Sequence, residues 1–328
     1  MIAYQNPVWP GYFADPFVLR VGNEYFAYGT GPADETGRPF PVLHSQDLVH
    51  WQPRGGALMP LTDPPALAYW APEVAEKKSL FYLYYSAATG ESDETHRLRV
   101  AVADHPAGPF LDSGRLLLPH SGFTIDPSPF LDPRDGRRYL FFATDYEADE
   151  PHGTGIQFVG LNDDMLSVIG PPRPVVRATA PWQIYQQNRH YKGRLWDKWY
   201  CVEGPNLIEH DGAYFCLFSG GQWRAENYGV CAAVADSPAA PWRPDAASQG
   251  PTVLRGVPGR VLGPGHNSTV LGPDDKTLFI VYHAWDLALT ARRMCIDPIL
   301  WRDGMPKADG PSFERRFIAG RGEGAAQP

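Results

Sequence analysis

A five-bladed β-propeller is the all-β fold this sequence predicts, on three observations. Five short aromatic-rich runs recur, each follows an apolar stretch across a turn, and helix-period patterning is nearly absent. The runs are NEYFAYGT from Asn23, LFYLYYSA from Leu80, RYLFFATD from Arg138, AYFCLFSGG from Ala213 and TLFIVYHAWD from Thr277. They start roughly 55 to 75 residues apart, near the spacing of propeller blades once insertions are allowed.

Each run is rich in β-branched and aromatic residues and bounded by turn formers, the pattern of a strand. In chain order the partner stretches are ADPFVLRVGN, WAPEVAEK, IDPSPFLDPRDG, VEGPNLIEHDG and HNSTVLGPDD. Gly, Asp or Asn at the junctions makes each pair a hairpin. Third-strand candidates follow, and AVADHPAGPF from Ala101 echoes AVADSPAAPW from Ala233. The 34 prolines and 33 glycines punctuate many short strands. Five sheets around an axis explain five matching hairpins; a β-sandwich does not. The whole chain, 1–328, reads as one propeller domain. The longest interruption, Pro171 to Tyr200, is aromatic, basic and polar, which suits a loop over a binding face.

Composition narrows the partners. Apolar residues are 43% of the chain, enough for a core, and the 13% aromatics include the amphipathic Trp and Tyr platforms suited to sugar rings. A net charge of −8 without a basic run argues against nucleic acid and anionic membrane surfaces. No apolar run approaches a membrane span. The N-terminal MIAYQNPVWPGYFADP lacks a signal-peptide pattern, which places the protein in the cytosol when Met1 is the true start and leaves secretion open when it is not. Cys201, Cys216, Cys231 and Cys295 lack metal-site spacing and read as buried thiols, with a disulfide left open. Nothing here fixes the oligomeric state.

Aligning the hairpins places Asp15, Glu73, Asp126, Glu203 and His266 at the start of the first strand of successive repeats. Innermost strands line a propeller's channel, so these positions converge on the axis. Four acids and one histidine together raise one another's pKa values and are a poor route to stability. Such convergence marks a functional site. Trp70, in WAPEV, stands ready to stack on a sugar face, or to pack in the propeller core.

The ordered motifs ADPFV, WAPEV, IDPSPFLD, VEGPNLI and GPGHNSTV resemble glycoside hydrolase family 43, over Asn6 to about Pro306. The resemblance implies that Asp15 is the general base, Glu203 the general acid, and Asp126 the acid that tunes and orients Glu203. It likewise implies that Arg292, in TARRMCID, contacts the bound sugar, with Trp70 and Glu73 as further substrate contacts. His266 of GPGHNS matches a histidine beside a central-channel metal, commonly calcium with water ligands. An inverting site needs room for the attacking water, which sets an expected Asp15–Glu203 carboxyl separation of roughly 6.5–9.5 Å. Glu203 must hold a proton, which an anionic Asp126 beside it would favour.

The expected function is an inverting glycosidase on arabinose-containing oligosaccharides, as an α-L-arabinofuranosidase or arabinanase, with exo action favoured by an intracellular setting. β-D-Xylosidase activity is the near alternative. Retaining fructosidases share the five-bladed plan, but ADPFV and the Cys201–Val202–Glu203 spacing fit their motifs poorly. A non-catalytic sugar-binding propeller would not need three acids.

Overall fold

A computed structural model describes residues 1–245 and 249–321. Five antiparallel sheets make up the chain. Their innermost strands are Ala14–Val21, Ala68–Lys77, Thr124–Leu131, Val202–His210 and Leu262–Leu271. Each pairs with the aromatic run that follows it, and outer strands complete blades I to V in chain order. The five predicted hairpins are thus the five blade cores. Among the described residues the only helical turns are the 3₁₀ segments Asp93–Thr95 and Pro181–Gln183.

The side chains on each strand face explain why the blades stack. Cores fill the gaps between neighbours: Tyr28, Phe40 and Leu83 between I and II, Tyr84, Leu140 and Phe142 between II and III, and Phe141, Leu207 and Phe218 between III and IV. Leu217, Ile280 and Tyr282 join IV to V, and Tyr25, Val281 and Ile296 join V to I. Burying each such side chain contributes about 1.5–3 kcal/mol. Polar struts on the innermost strands add to this. Ser268 Oγ donates to Pro16 O (3.0 Å) and accepts from Val18 N–H (3.2 Å), which closes blade V on blade I. Strand Ile2–Tyr4 pairs with Arg316–Ile318, tying the first residues to the end of the described chain. All four cysteines are buried free thiols.

The segment Pro171 to Tyr200 differs from its expected form. Val168–Val176 is blade III's outer strand, so the excursion begins only after it. The remainder is no loop: Ile184–Tyr191 and Arg194–Tyr200 form a β-hairpin. The pairing is set by the tight turn at Lys192 and Gly193, both at positive φ, between two segments rich in Tyr and Trp.

Candidate active site

All five innermost strands break register at the same place. The breaks fall between Ala14 and Phe17, Trp70 and Glu73, Ile125 and Ser128, Glu203 and Asn206, and Gly265 and Ser268. At each bulge one residue adopts a left-handed backbone: Asp15 (φ 50°), Ala71 (48°), Asp126 (57°), Gly204 (59°) and His266 (46°). β-Bulges re-aim side chains, and these turn Asp15, Asp126 and His266 into one cavity of about 390 Å³.

This geometry corrects the sequence alignment. The true equivalents in blades II and IV are Ala71 and Gly204, so Glu203 sits one residue before its bulge and Glu73 two after. Glu203 shares its register position with Trp70 and Ile125, and all three line the cavity. Glu73 does not line it. Its carboxyl bonds Ser128 and is held well above the usual range by burial, with Asp126 adding to the rise. It is a strut between blades II and III, displaced by the bulge from the position expected of a sugar contact.

Asp15 is held ionised. Burial alone would raise its pKa, but Arg292 first and then His266 outweigh that and hold it well below the usual carboxylate range. Arg292 Nη1 donates to Asp15 Oδ1 at 2.9 Å, while Nε and Nη2 donate to Tyr12 Oη at 3.2 and 3.0 Å. The guanidinium also lies 4.8 Å from the centre of the Trp223 ring. His283 Nδ1 accepts from Asp15 N–H at 3.1 Å. That nitrogen cannot also donate to Asp15 Oδ1, 3.3 Å away. Burial keeps His283 neutral, with a pKa near 4.

His266 stands at the centre, where its neighbours favour the protonated ring. Burial opposes its charge, but Asp15, Asp126 and Glu203 together raise its pKa. Its Nδ1 lies 3.5 Å from Asp15 Oδ1, and its backbone N–H donates to Ser219 Oγ at 2.7 Å. A Cβ on Gly204 would meet the His266 ring at 3.2–3.3 Å, so glycine at this bulge lets the ring approach.

Asp126 is pushed up to about 7, first by burial and then by Glu203 and Asp15, against His266 and the Gly204 N–H that donates to its Oδ2 at 3.0 Å. It is therefore not the standing anion expected of it, because two acids and little water surround it. Tyr228 Oη donates to Glu203 Oε1 at 2.7 Å, and the Cys201 thiol also bonds this carboxyl. Trp70 borders the cavity while stacked on His96, ring centres 3.8 Å apart. Burial lowers the His96 pKa to about 3, so that platform is neutral.

Tyr228, His283 and the hairpin residues Tyr185, Arg189 and Trp199 escaped the sequence reading. A lone Tyr in a loop or His in a strand carries no local signal of the carboxyl or backbone group it will meet: Tyr228 meets Glu203 within blade IV, and His283 meets Asp15 across blades V and I. The aromatic and basic composition of the hairpin was its one visible sign.

The residues around His266 do not fit a calcium ion held by protein oxygens. Calcium takes six to eight oxygen ligands, and among the described residues no group of three or more His, Cys, Asp or Glu is arranged for a metal. The orphaned buried atom nearby, His283 Nε2, carries a hydrogen once Nδ1 accepts, and an N–H cannot be a ligand.

A propeller whose channel mouth gathers three carboxyls, a guanidinium and aromatic platforms defines a carbohydrate-cleaving hydrolase. The model for glycosyl hydrolases family 43 matches residues 4–306, and the chain belongs to that family. It is 29% identical to a β-D-galactofuranosidase of Aspergillus niger, over 91% of this chain and 82% of that protein. It is 26% identical to an extracellular exo-α-(1→5)-L-arabinofuranosidase of Streptomyces avermitilis, over 74% of this chain and 50% of that protein. With a xylosidase/arabinosidase of Butyrivibrio fibrisolvens it shares 26% identity over 66% of this chain and 38% of the other. The chain thus spans half or less of the last two. The solved structure of a thermostable family-43 glycoside hydrolase superposes with a TM-score of 0.82 at 28% identity, over 95% of this chain and 97% of that one.

Proposed function

We propose that this glycoside hydrolase is an exo-acting, inverting α-L-arabinofuranosidase, with Asp15 as base, Glu203 as acid and Asp126 as the residue that tunes Glu203. The observation that carries the reading is the asymmetry among the three acids. Asp15 is pinned as an anion by Arg292, whereas Asp126, pushed up to about 7, keeps a proton in the Asp126–Glu203 half of the site near neutral pH. Enzymes of this chemistry need such a split between an ionised and a proton-bearing carboxyl. Water oriented by Asp15 attacks the anomeric carbon and gives its proton to Asp15. The glycosidic bond breaks as Glu203 protonates the leaving oxygen.

Exo action is supported by a bridge beside the cavity, which Glu94 lines. Lys192 N–H, at the tip of the hairpin, donates to Glu94 Oε1 at 3.2 Å, so the excursion from blade III bridges to blade II over the channel mouth. An arch there blocks the through-groove an endo-acting enzyme needs. Arabinofuranose is supported by the relatives: the Streptomyces enzyme is named for that sugar, and a β-D-galactofuranosyl ring, the sugar named for the Aspergillus relative, has the ring configuration of α-L-arabinofuranose with one added hydroxymethyl group. β-D-Xylosidase activity is the second reading, on the two sugars named for the Butyrivibrio relative.

The test is turnover of 4-nitrophenyl α-L-arabinofuranoside, β-D-galactofuranoside and β-D-xylopyranoside, with the first-formed anomer followed by NMR. The proposal expects the arabinofuranoside to have the highest kcat/KM and the product to have inverted configuration. Retained configuration would remove Asp15 as base.

A further inference from the structure

The hairpin spanning 184–200 lies outside the fivefold repeat, and its placement is tightly fixed. Tyr200 N–H donates to His152 O (2.8 Å) and Cys201 N–H to Gln183 O (2.9 Å) at its base. Near its tip, Lys192 Nζ and Tyr191 Oη donate to Asp145 Oδ2 at 2.8 and 2.9 Å. A segment held at both ends can present side chains with the precision of the blades.

One of those side chains has no protein acceptor. Arg189 borders the cavity, and its guanidinium lies 4.0 Å from the ring centre of Tyr191, 5.0 Å from Trp199 and 5.1 Å from Tyr185. Among the described residues, no carboxylate, carbonyl or hydroxyl accepts from it. The other cations of the site differ, for Arg292 is paired with Asp15 and Lys192 with Asp145 and Glu147. Three rings hold a planar fork of donors in place, while its N–H groups wait for oxygens that the protein does not supply. Those groups are open to solvent, and a ligand offering paired oxygens can replace water there with charge-assisted hydrogen bonds.

Chain direction says which part of the substrate does so. Trp199, Cys201 and Glu203 alternate along the chain and all line the cavity, the period that keeps strand residues on one face. The hairpin therefore runs directly into the proposed proton donor, on the side from which the leaving oxygen departs. Asp15, the proposed base, comes from blade I. We propose that the hairpin forms the leaving-group subsite and that Arg189 is its specificity-determining residue, donating to a pair of oxygens on the leaving sugar, either adjacent hydroxyls or a carboxylate. This rests on the glycosidase roles given above for Asp15 and Glu203.

The experiment compares full-length wild type with R189M and R189K on 4-nitrophenyl α-L-arabinofuranoside, α-1,5-arabinobiose, and an arabinofuranosyl disaccharide whose leaving sugar is a uronic acid. The nitrophenyl leaving group has no paired sugar oxygens to bind. The ratio of kcat/KM on either disaccharide to that on the nitrophenyl glycoside should fall about 10- to 100-fold in R189M, the loss of one or two charge-assisted hydrogen bonds. R189K keeps charge over the rings and guards against a misfolded hairpin; lacking the planar fork, it should show the same selective loss. A larger fall on the uronic acid substrate identifies the oxygens as a carboxylate, and equal falls identify hydroxyls. An unchanged ratio in both variants overturns the inference while the glycosidase reading stands. A wild type that cleaves none of the three substrates overturns the arabinofuranosidase reading, and with it the subsite assigned for such substrates.

Discussion

Replacing Asp126 with Asn should make the protein less active yet more stable at alkaline pH, and the size of the gain follows from the site. Asp126 rises from its ordinary 3.8 to about 7 in the folded chain, which corresponds to roughly 4 kcal/mol at ~1.4 kcal/mol per pH unit. A group raised on folding contributes stability that is complete below its unfolded pKa and is lost as pH climbs through the folded value. Wild type therefore loses this contribution between about pH 4 and pH 7, and D126N does not. About 2–3 kcal/mol of it falls between pH 5 and pH 8. Neutralising Asp126 also deprives His266 of an anionic neighbour, so the net figure should be smaller, on the order of 1 kcal/mol. At ~2.1 cal/mol/K per residue over 328 residues, that is a Tm difference of roughly 1–2 °C. The assay is thermal unfolding of both proteins at pH 5 and pH 8. The advantage of D126N should be greater at pH 8 by about that amount, while its kcat falls. An advantage equal at the two pH values, or greater at pH 5, would refute the assignment of a raised pKa to Asp126.

Four further outcomes follow from the same geometry. D15A should lower kcat by about 10²–10⁴-fold on activated and unactivated glycosides alike, whereas E203Q should spare a dinitrophenyl glycoside, whose leaving group needs little protonation; equal sensitivity of the two substrates to E203Q would count against its role as acid. R292M should cost about 3–5 kcal/mol in denaturant unfolding by stranding a buried carboxylate. It should also move the acidic limb of kcat/KM to higher pH, since Arg292 no longer holds Asp15 down. G204A should lower kcat by displacing the His266 ring and cost roughly 1–2 kcal/mol of stability for its left-handed backbone, as measured by steady-state kinetics beside denaturant unfolding. Dialysis against a chelator should leave Tm and turnover unchanged, and a loss that calcium reverses would show a cation held through water.

Strand hairpins were legible because their information is local. A run such as LFYLYYSA carries its own propensity, and the turns between paired stretches set register within a few residues. Asp15, Asp126 and His266 were legible for a related reason, since each stands at the same point of a repeat whose geometry recurs. What lay beyond reach is what joins one blade to another. The contact of His283 with Asp15 joins blade V to blade I, and that of Tyr228 with Glu203 depends on how a loop of blade IV folds back onto its own first strand. The hairpin was hidden differently: its strands pair with each other but meet blade III chiefly through Gly153 and Tyr200, so no repeat announces it.

The one-residue offset of Glu203 shows how the fivefold frame is adapted for chemistry. Four bulges carry a non-glycine residue with positive φ, at Asp15, Ala71, Asp126 and His266. A left-handed backbone costs roughly 1–2 kcal/mol for such a residue, and the fold bears that cost at each of those four. Backbone conformation alone therefore does not require glycine at position 204. The His266 ring does, because a Cβ there would press on it at 3.2 Å. The acid in blade IV enters the cavity from the residue before the bulge, the place Trp70 and Ile125 occupy in their own blades. From there Glu203 reaches Tyr228 and Cys201, while the Gly204 N–H is free to bond Asp126. The bulge of blade IV thus places one acid a residue ahead of it, supplies through its N–H the donor that holds a second acid, and by carrying glycine leaves room for the His266 ring between them.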